Sequence, residues 1–187
     1  MTLHLHPIIL PVSAADQELD GHERMEAQRR RAREALVQSC LASGVPAGPF
    51  AKDTRNVPLP FGGTYWSISH KPQYVAAVVS SSPVGIDLEE VTPRKRRLFG
   101  YIAEDSEWAL AEQNWDTFFR FWTAKEAVLK ATGAGLRDLK KARIQAILDG
   151  DRLIVEYAER PWPVQHYRFG SHLVSLTHEG KIRWTLA

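Results

Sequence analysis

The chain has 187 residues, 44% of them hydrophobic and 25% charged, with a formal net charge of +2 at pH 7. That balance suits a soluble globular protein of one large domain or two small ones sharing a core, and the charge is too small to argue for nucleic acid. No apolar run approaches the roughly 20 residues a membrane-spanning helix needs, and with Cys40 alone neither an intramolecular disulfide nor a cysteine zinc site can form.

In chain order, the opening segment Met1–Pro7 lacks the basic region and small-residue cleavage site of a signal peptide, so a cytoplasmic protein is expected. Leu3–Leu10 reads as a first strand. Ser13 and Asp16 are candidate caps for one long helix to about Ala42, with a stripe of Ala32, Leu36 and Cys40 widened by Val37 and Leu41. Gly44 is placed to end it, and the Pro- and Gly-rich stretch Val45–Gly63 reads as a surface loop. Tyr65–Ser69, Tyr74–Ser80 and Val84–Val91 follow as strands joined by short turns, which predicts a three-stranded antiparallel meander.

Helical pattern resumes in two pieces over 94–113 and again over Asp116–Thr132, closed by Gly133 and Gly135. Ile144–Leu148 and Leu153–Tyr157 flank Asp149-Gly150, a hairpin signal. Val164–Phe169, His172–His178 and Ile182–Leu186 complete a second meander. The expectation is an α+β fold of two pseudo-equivalent halves, 1–92 and 93–187, each a long helix packed on a small antiparallel sheet.

Three short segments carry chemistry. In Val84-Gly85-Ile86-Asp87-Leu88-Glu89, alternation across a strand puts Asp87 and Glu89 on one face and Ile86 and Leu88 on the other. A solvated outer face and a ligand pocket both fit that hexapeptide taken alone. In Trp122-Thr123-Ala124-Lys125-Glu126-Ala127-Val128-Leu129-Lys130, one helix face carries Trp122, Glu126 and Lys130; an ordinary ion pair with Trp122 as a core anchor fits equally. In Trp66-Ser67-Ile68-Ser69-His70-Lys71, the hydroxyls and His70 arrive together at a strand end. Two basic runs, Arg24–Arg33 and Arg94–Arg97, read either as solvated helix faces or as cations for a small polyanion.

Taken together, Ser-Ile-Ser-His, Gly-Ile-Asp-Leu-Glu and Trp-Thr-Ala-Lys-Glu-Ala with Lys130 and Gly133 closely resemble the signature of the phosphopantetheinyl transferases. The variant resembled is the surfactin-synthetase-activating type, a single chain of two halves. The resemblance is firm over Pro58–Leu136 and looser on either side. It implies transfer of the phosphopantetheine arm of coenzyme A to a serine of an apo acyl or peptidyl carrier protein, releasing adenosine 3′,5′-bisphosphate.

By that resemblance Asp87, Glu89 and Glu126 are Mg²⁺ ligands, which agrees with the preference of this hard cation for a few carboxylates plus phosphate oxygens and water. Glu126 and Lys130 are the implied catalytic pair. Arg29, Ser69, His70, Asp87, Lys125 and Lys130 are implied to bind coenzyme A, Lys71 is a further candidate as an added cation near the phosphates, and Glu107 is a further acid near the metal. The chain departs from the family pattern at Lys71, where a serine is usual, and at Val57, where a basic residue is usual. A monomer with no nucleic-acid or membrane partner is expected. Two other readings use the same residues: a Mg²⁺-dependent phosphodiesterase or nuclease, and a non-catalytic basic interaction module.

Overall fold

The apolar alternations of the chain resolve into nine strands and five α-helices, in a computed structural model that describes residues 4–187. The strands are β1 (Ile8–Pro11), β2 (Tyr65–His70), β3 (Tyr74–Ser80), β4 (Ile86–Glu90), β5 (Arg143–Ile147), β6 (Arg152–Tyr157), β7 (Arg160–Phe169), β8 (His172–Thr177) and β9 (Thr185–Leu186). The helices are α1 (Ala14–Glu18), α2 (Gly21–Ser43), α3 (Phe99–Ile102), α4 (Asp105–Trp108) and α5 (Trp115–Thr132). Leu3, the expected start of the first strand, lies outside the described residues.

The strands form a four-stranded sheet, in the order β2-β3-β1-β9, and a five-stranded sheet, in the order β4-β8-β7-β6-β5. Alternation gives each sheet two apolar faces. Ile8, Leu10, Val75, Ala77 and Val79 of the first sheet pack under Ala32, Ala35, Leu36 and Cys40 of α2. Ile9, Ala76 and Val78 face the other way and meet Ile86, Leu88, Val174 and Leu176 of the second sheet. The far side of that sheet carries Leu153, Val155, Val164 and Leu173, covered by Phe118, Phe121, Ala124 and Val128 of α5. The layers therefore run α2, sheet, sheet, α5, and each fully buried phenylalanine of α5 contributes about 1.5–3 kcal/mol.

The class is α+β as expected, but the strands are shared differently. β4, expected as the third strand of the first meander, pairs instead with β8, placing Asp87 opposite Ser175. The reason is that β1 occupies the edge of β3 a meander would offer, with Ile9 opposite Ala76. β9, expected at the end of the second meander, runs parallel to β1. A division at residue 92 therefore does not separate the two sheets, because each borrows a strand from the other side of it.

Two helical expectations also change. Ser13 does cap a helix, its side chain accepting from the Asp16 amide, but that helix ends at Glu18 and α2 restarts behind Asp20. Val37 and Leu41 do not widen the buried stripe; they are 40% and 75% exposed. The small residues Ala35 and Ser39 take that place, and the Ser39 hydroxyl donates to the His6 carbonyl (2.7 Å) and accepts from the Val79 amide (3.1 Å).

Candidate active site

The site forms where α5 crosses β4. Gly85, just before β4, permits the crossing: a Cβ there would lie 1.8 Å from the Ala127 carbonyl oxygen of α5. β4 is an edge strand, and its outward amides find side chains rather than another strand. Ser67 Oγ accepts from the Ile86 amide and Ser69 Oγ from the Leu88 amide, each at 3.1 Å. The two serines of β2 thereby stitch one sheet to the other at the strand that carries the acids.

Asp87 and Glu89 share a face, as alternation requires, and that face is closed by α5: each is 4% exposed. Charges so buried need partners. Asp87 Oδ1 accepts from Lys130 Nζ (2.7 Å) and Ser69 Oγ (2.9 Å), while Oδ2 is buried with no partner. Glu89 Oε1 accepts from Lys71 Nζ (2.7 Å) and the Trp122 indole (3.1 Å), and Oε2 from Arg94 (3.3 Å).

Glu126 follows one turn after Trp122 on the same face of α5. Burial pushes its carboxyl up to about 7, with the nearby carboxylates of Asp87 and Glu89 adding to the rise and Lys130 opposing it. Lys130 does not make the i, i+4 pair with Glu126 that its spacing allows. It reaches across to β4 and β2, also donating to the carbonyls of Ile86 (3.1 Å) and Ile68 (3.3 Å).

Beside these groups opens a cleft of about 720 Å³, lined among others by Lys52, Arg55, Val57, Ser67, Glu126, Lys130 and Arg137. His70, at the end of β2, sits 3.1 Å from Gln28 Oε1 of α2. Burial, then the charges of Lys130, Lys71, Lys52 and Arg29, hold its imidazole below the usual histidine range. The Arg29 guanidinium is paired with Glu26 at 2.5 Å.

The structure brings together Asp87, Glu89, Glu126 and Lys130, with His70 at the end of the neighbouring β2, while Arg29 is engaged by Glu26 on α2. Three expected contacts with coenzyme A have other employment. Lys125 points away from the cleft: its ammonium is 0% exposed and sits between Glu107 (2.6 Å) and the Ile102 carbonyl (2.7 Å). A step of one residue turns a helix by about 100°, so the neighbour of Glu126 faces the core. Ser69 spends its hydroxyl on Asp87 and the Leu88 amide, and Lys71 is engaged by Glu89.

Glu107, expected near the metal, instead caps α4 and accepts from the Ile144 amide (2.7 Å). Among the described residues no group of three His, Cys, Asp or Glu side chains is already gathered so as to hold a metal ion. Sequence reasoning passed over Lys52, Arg55 and Arg137, which lie outside the recognisable motifs, and the hold of Trp122 and Arg94 on Glu89.

The strand carrying Asp87 and Glu89 and the helix carrying Glu126 and Lys130 both fall in a segment that matches a known family. Residues 83–178, just over half of the chain, match the family model of the 4′-phosphopantetheinyl transferase superfamily. The chain belongs to that superfamily. It is 29% identical over 92 residues (46% of this chain) to the 4′-phosphopantetheinyl transferase gsp of Aneurinibacillus migulanus. It is 35% identical over 77 residues (38%) to psf-1 of Bacillus pumilus, and 34% identical over 92 residues (44%) to HetI of a Nostoc species, both named as the same transferase. These matches cover 39%, 33% and 38% of the respective relatives, well short of their whole lengths.

Proposed function

We propose that this chain transfers the phosphopantetheine arm of coenzyme A to a serine of an apo carrier protein. The observation that carries the reading is the placement of Glu126 and Lys130, one turn apart on α5, along a cation-rimmed cleft with Asp87 bound to Lys130. In the reaction the serine Oγ–P bond forms at the phosphorus bearing the pantetheine arm. The P–O bond to adenosine 3′,5′-bisphosphate breaks, and the serine proton must leave.

Glu126, which lines the cleft, is the group to receive that proton, directly or through a water. Lys130 lies where its ammonium can move from Asp87 to a diphosphate oxygen and balance the charge that gathers on the leaving group. Most of the remaining catalysis is positioning, as in other phosphoryl transfers.

The donor set suits a hard divalent cation. Asp87 Oδ2 is buried without a partner, and the Glu126 carboxyl is pushed up by burial and then by the charges of Asp87 and Glu89. Asp87, Glu89 and Glu126 would hold Mg²⁺ there, and the ion would supply charge neutralisation on the diphosphate. Lys130 and Lys71 now stand in for part of that positive charge. The phosphodiesterase and interaction-module readings draw no support from the family assignment. No helix among the described residues is long and apolar enough to cross a membrane; a monomer working on carrier proteins in the cytoplasm is part of the proposal.

The test is to incubate the protein with an apo carrier protein, coenzyme A and Mg²⁺ and to weigh the carrier by mass spectrometry. A gain of one phosphopantetheine group is expected. An unmodified carrier, or hydrolysis of coenzyme A without carrier modification, contradicts the proposal.

A further inference from the structure

The turn between β2 and β3 is tied to β4 at two successive residues. The Lys71 amide donates to the Tyr74 carbonyl (2.8 Å) and closes the turn. From it Gln73 donates to Glu90 Oε2 (3.2 Å) on one face of β4, and Lys71 Nζ to Glu89 Oε1 (2.7 Å) on the other. Two further donors complete the hold on Glu89. The Trp122 indole of α5 shares Oε1 (3.1 Å), and Arg94, from the segment after β4, takes Oε2 (3.3 Å). Arg94 in turn lies over the Phe119 ring, 5.0 Å from its centre.

The two acids of β4 differ in what they have left to give. Asp87 keeps Oδ2 buried and unpartnered, so it can accept a cation without letting go of Lys130. Glu89 has no oxygen without a donor. Of its three donors the Trp122 indole is neutral, Arg94 is the most distant, and Lys71 is the charged group at the shortest range. A divalent cation on Glu89 would sit beside that ammonium, and like charges so close in a buried setting repel strongly. The Lys71 side chain is 30% exposed, so it has water to move into.

We infer that Lys71 competes with the divalent cation for Glu89 and sets how tightly the chain binds that ion. The inference rests on the metal site of the transferase reading above, in which Asp87, Glu89 and Glu126 hold Mg²⁺. Lys71 is a positioning residue that acts through Glu89. With it in place the protein neutralises its own acid, and the three-carboxylate set is complete only when the ammonium leaves. Trp122 and Arg94 remain to keep Glu89 aimed. The serine usual at this position in the family would bring no charge to Glu89, so the competition belongs to this chain's own departure.

The experiment titrates Mn²⁺ into the full chain without coenzyme A and reads the loss of free-ion paramagnetic signal. It compares wild type with Lys71→Met and Lys71→Gln, which remove the charge, and Lys71→Arg, which keeps it; two neutral variants guard against a folding defect in one. Each neutral variant should bind Mn²⁺ about 10- to 100-fold more tightly than wild type, the range over which groups bonded to a metal's ligands set its affinity. Lys71→Arg should bind like wild type, and adding Glu89→Gln to Lys71→Met should cancel the gain. The inference is overturned if the neutral variants bind Mn²⁺ no more tightly than wild type, if Lys71→Arg tightens binding equally, or if the gain survives Glu89→Gln. Unchanged Mn²⁺ affinity in the neutral variants, beside a wild type that modifies the carrier, overturns this inference alone. Tightening without any carrier modification supports the competition at Glu89 and overturns the transferase reading.

Discussion

Asp87 and Glu89 each have a lysine ammonium at 2.7 Å, whereas among the described residues no carboxylate lies within ion-pair distance of Lys52, which lines the cleft beside them. The acids are charge-compensated by the protein itself and the lysine is not; on the proposed reading an anionic substrate would supply the missing charge. On the proposed reading, acids that would share a metal are kept from repelling one another by lysines drawn from the β2–β3 turn and α5.

The same contrast recurs between two lysines of α5, and substitution there gives the largest expected effects. Lys125 and Glu107 are 0% and 3% exposed and 2.6 Å apart, so Lys125→Met leaves a buried carboxylate uncompensated. It should cost about 3–5 kcal/mol of stability in denaturant melts, while kcat per folded molecule stays within about threefold. Lys130→Met should do the reverse, lowering kcat by roughly 100-fold or more at a smaller cost in stability, since its side chain is 30% exposed to the cleft. Equal effects of the two variants on kcat would erase the distinction drawn between the two lysines.

A smaller effect sharpens the picture of the acids. With no metal added, Glu126 is held at about 7 against an ordinary 4.5. Its folded value lies above its unfolded one, so the folded state is unpenalised in acid. It loses stability as pH rises from about 4.5 to about 7, after which the loss is constant. Glu126→Gln removes the penalty: it should match wild type near pH 4 and exceed it by up to ~3 kcal/mol near pH 8. Parallel stability profiles across that range would show that Glu126 is not strained by its neighbours.

The acids and Lys52 also differ in how far they could be read from the chain. Asp87 and Glu89 sit in a strand whose period of two assigns their common face, and Trp122, Glu126 and Lys130 sit on a helix whose period does the same. What local pattern could not supply was the partner of β4, because that depends on β1 having taken the free edge of β3. Nor could it distinguish Lys125 from Lys130, since the direction of each depends on where Gly85 lets α5 rest. Lys52 was illegible for a different reason: it lies in a loop without periodicity, whose course is set by the Asp53 turn and the Pro58 bridge.

The account of the acids is tested most directly by Mn²⁺ binding, measured by the loss of free-ion paramagnetic signal, with and without coenzyme A. Because Asp87 and Glu89 already hold lysines and no three-acid cluster is gathered among the described residues, the metal alone should bind weakly. Coenzyme A, by drawing Lys130 onto its diphosphate, should raise the affinity at least about tenfold, and Asp87→Asn should abolish that gain. Equal Mn²⁺ affinity with and without coenzyme A, or an undiminished gain in Asp87→Asn, would contradict it.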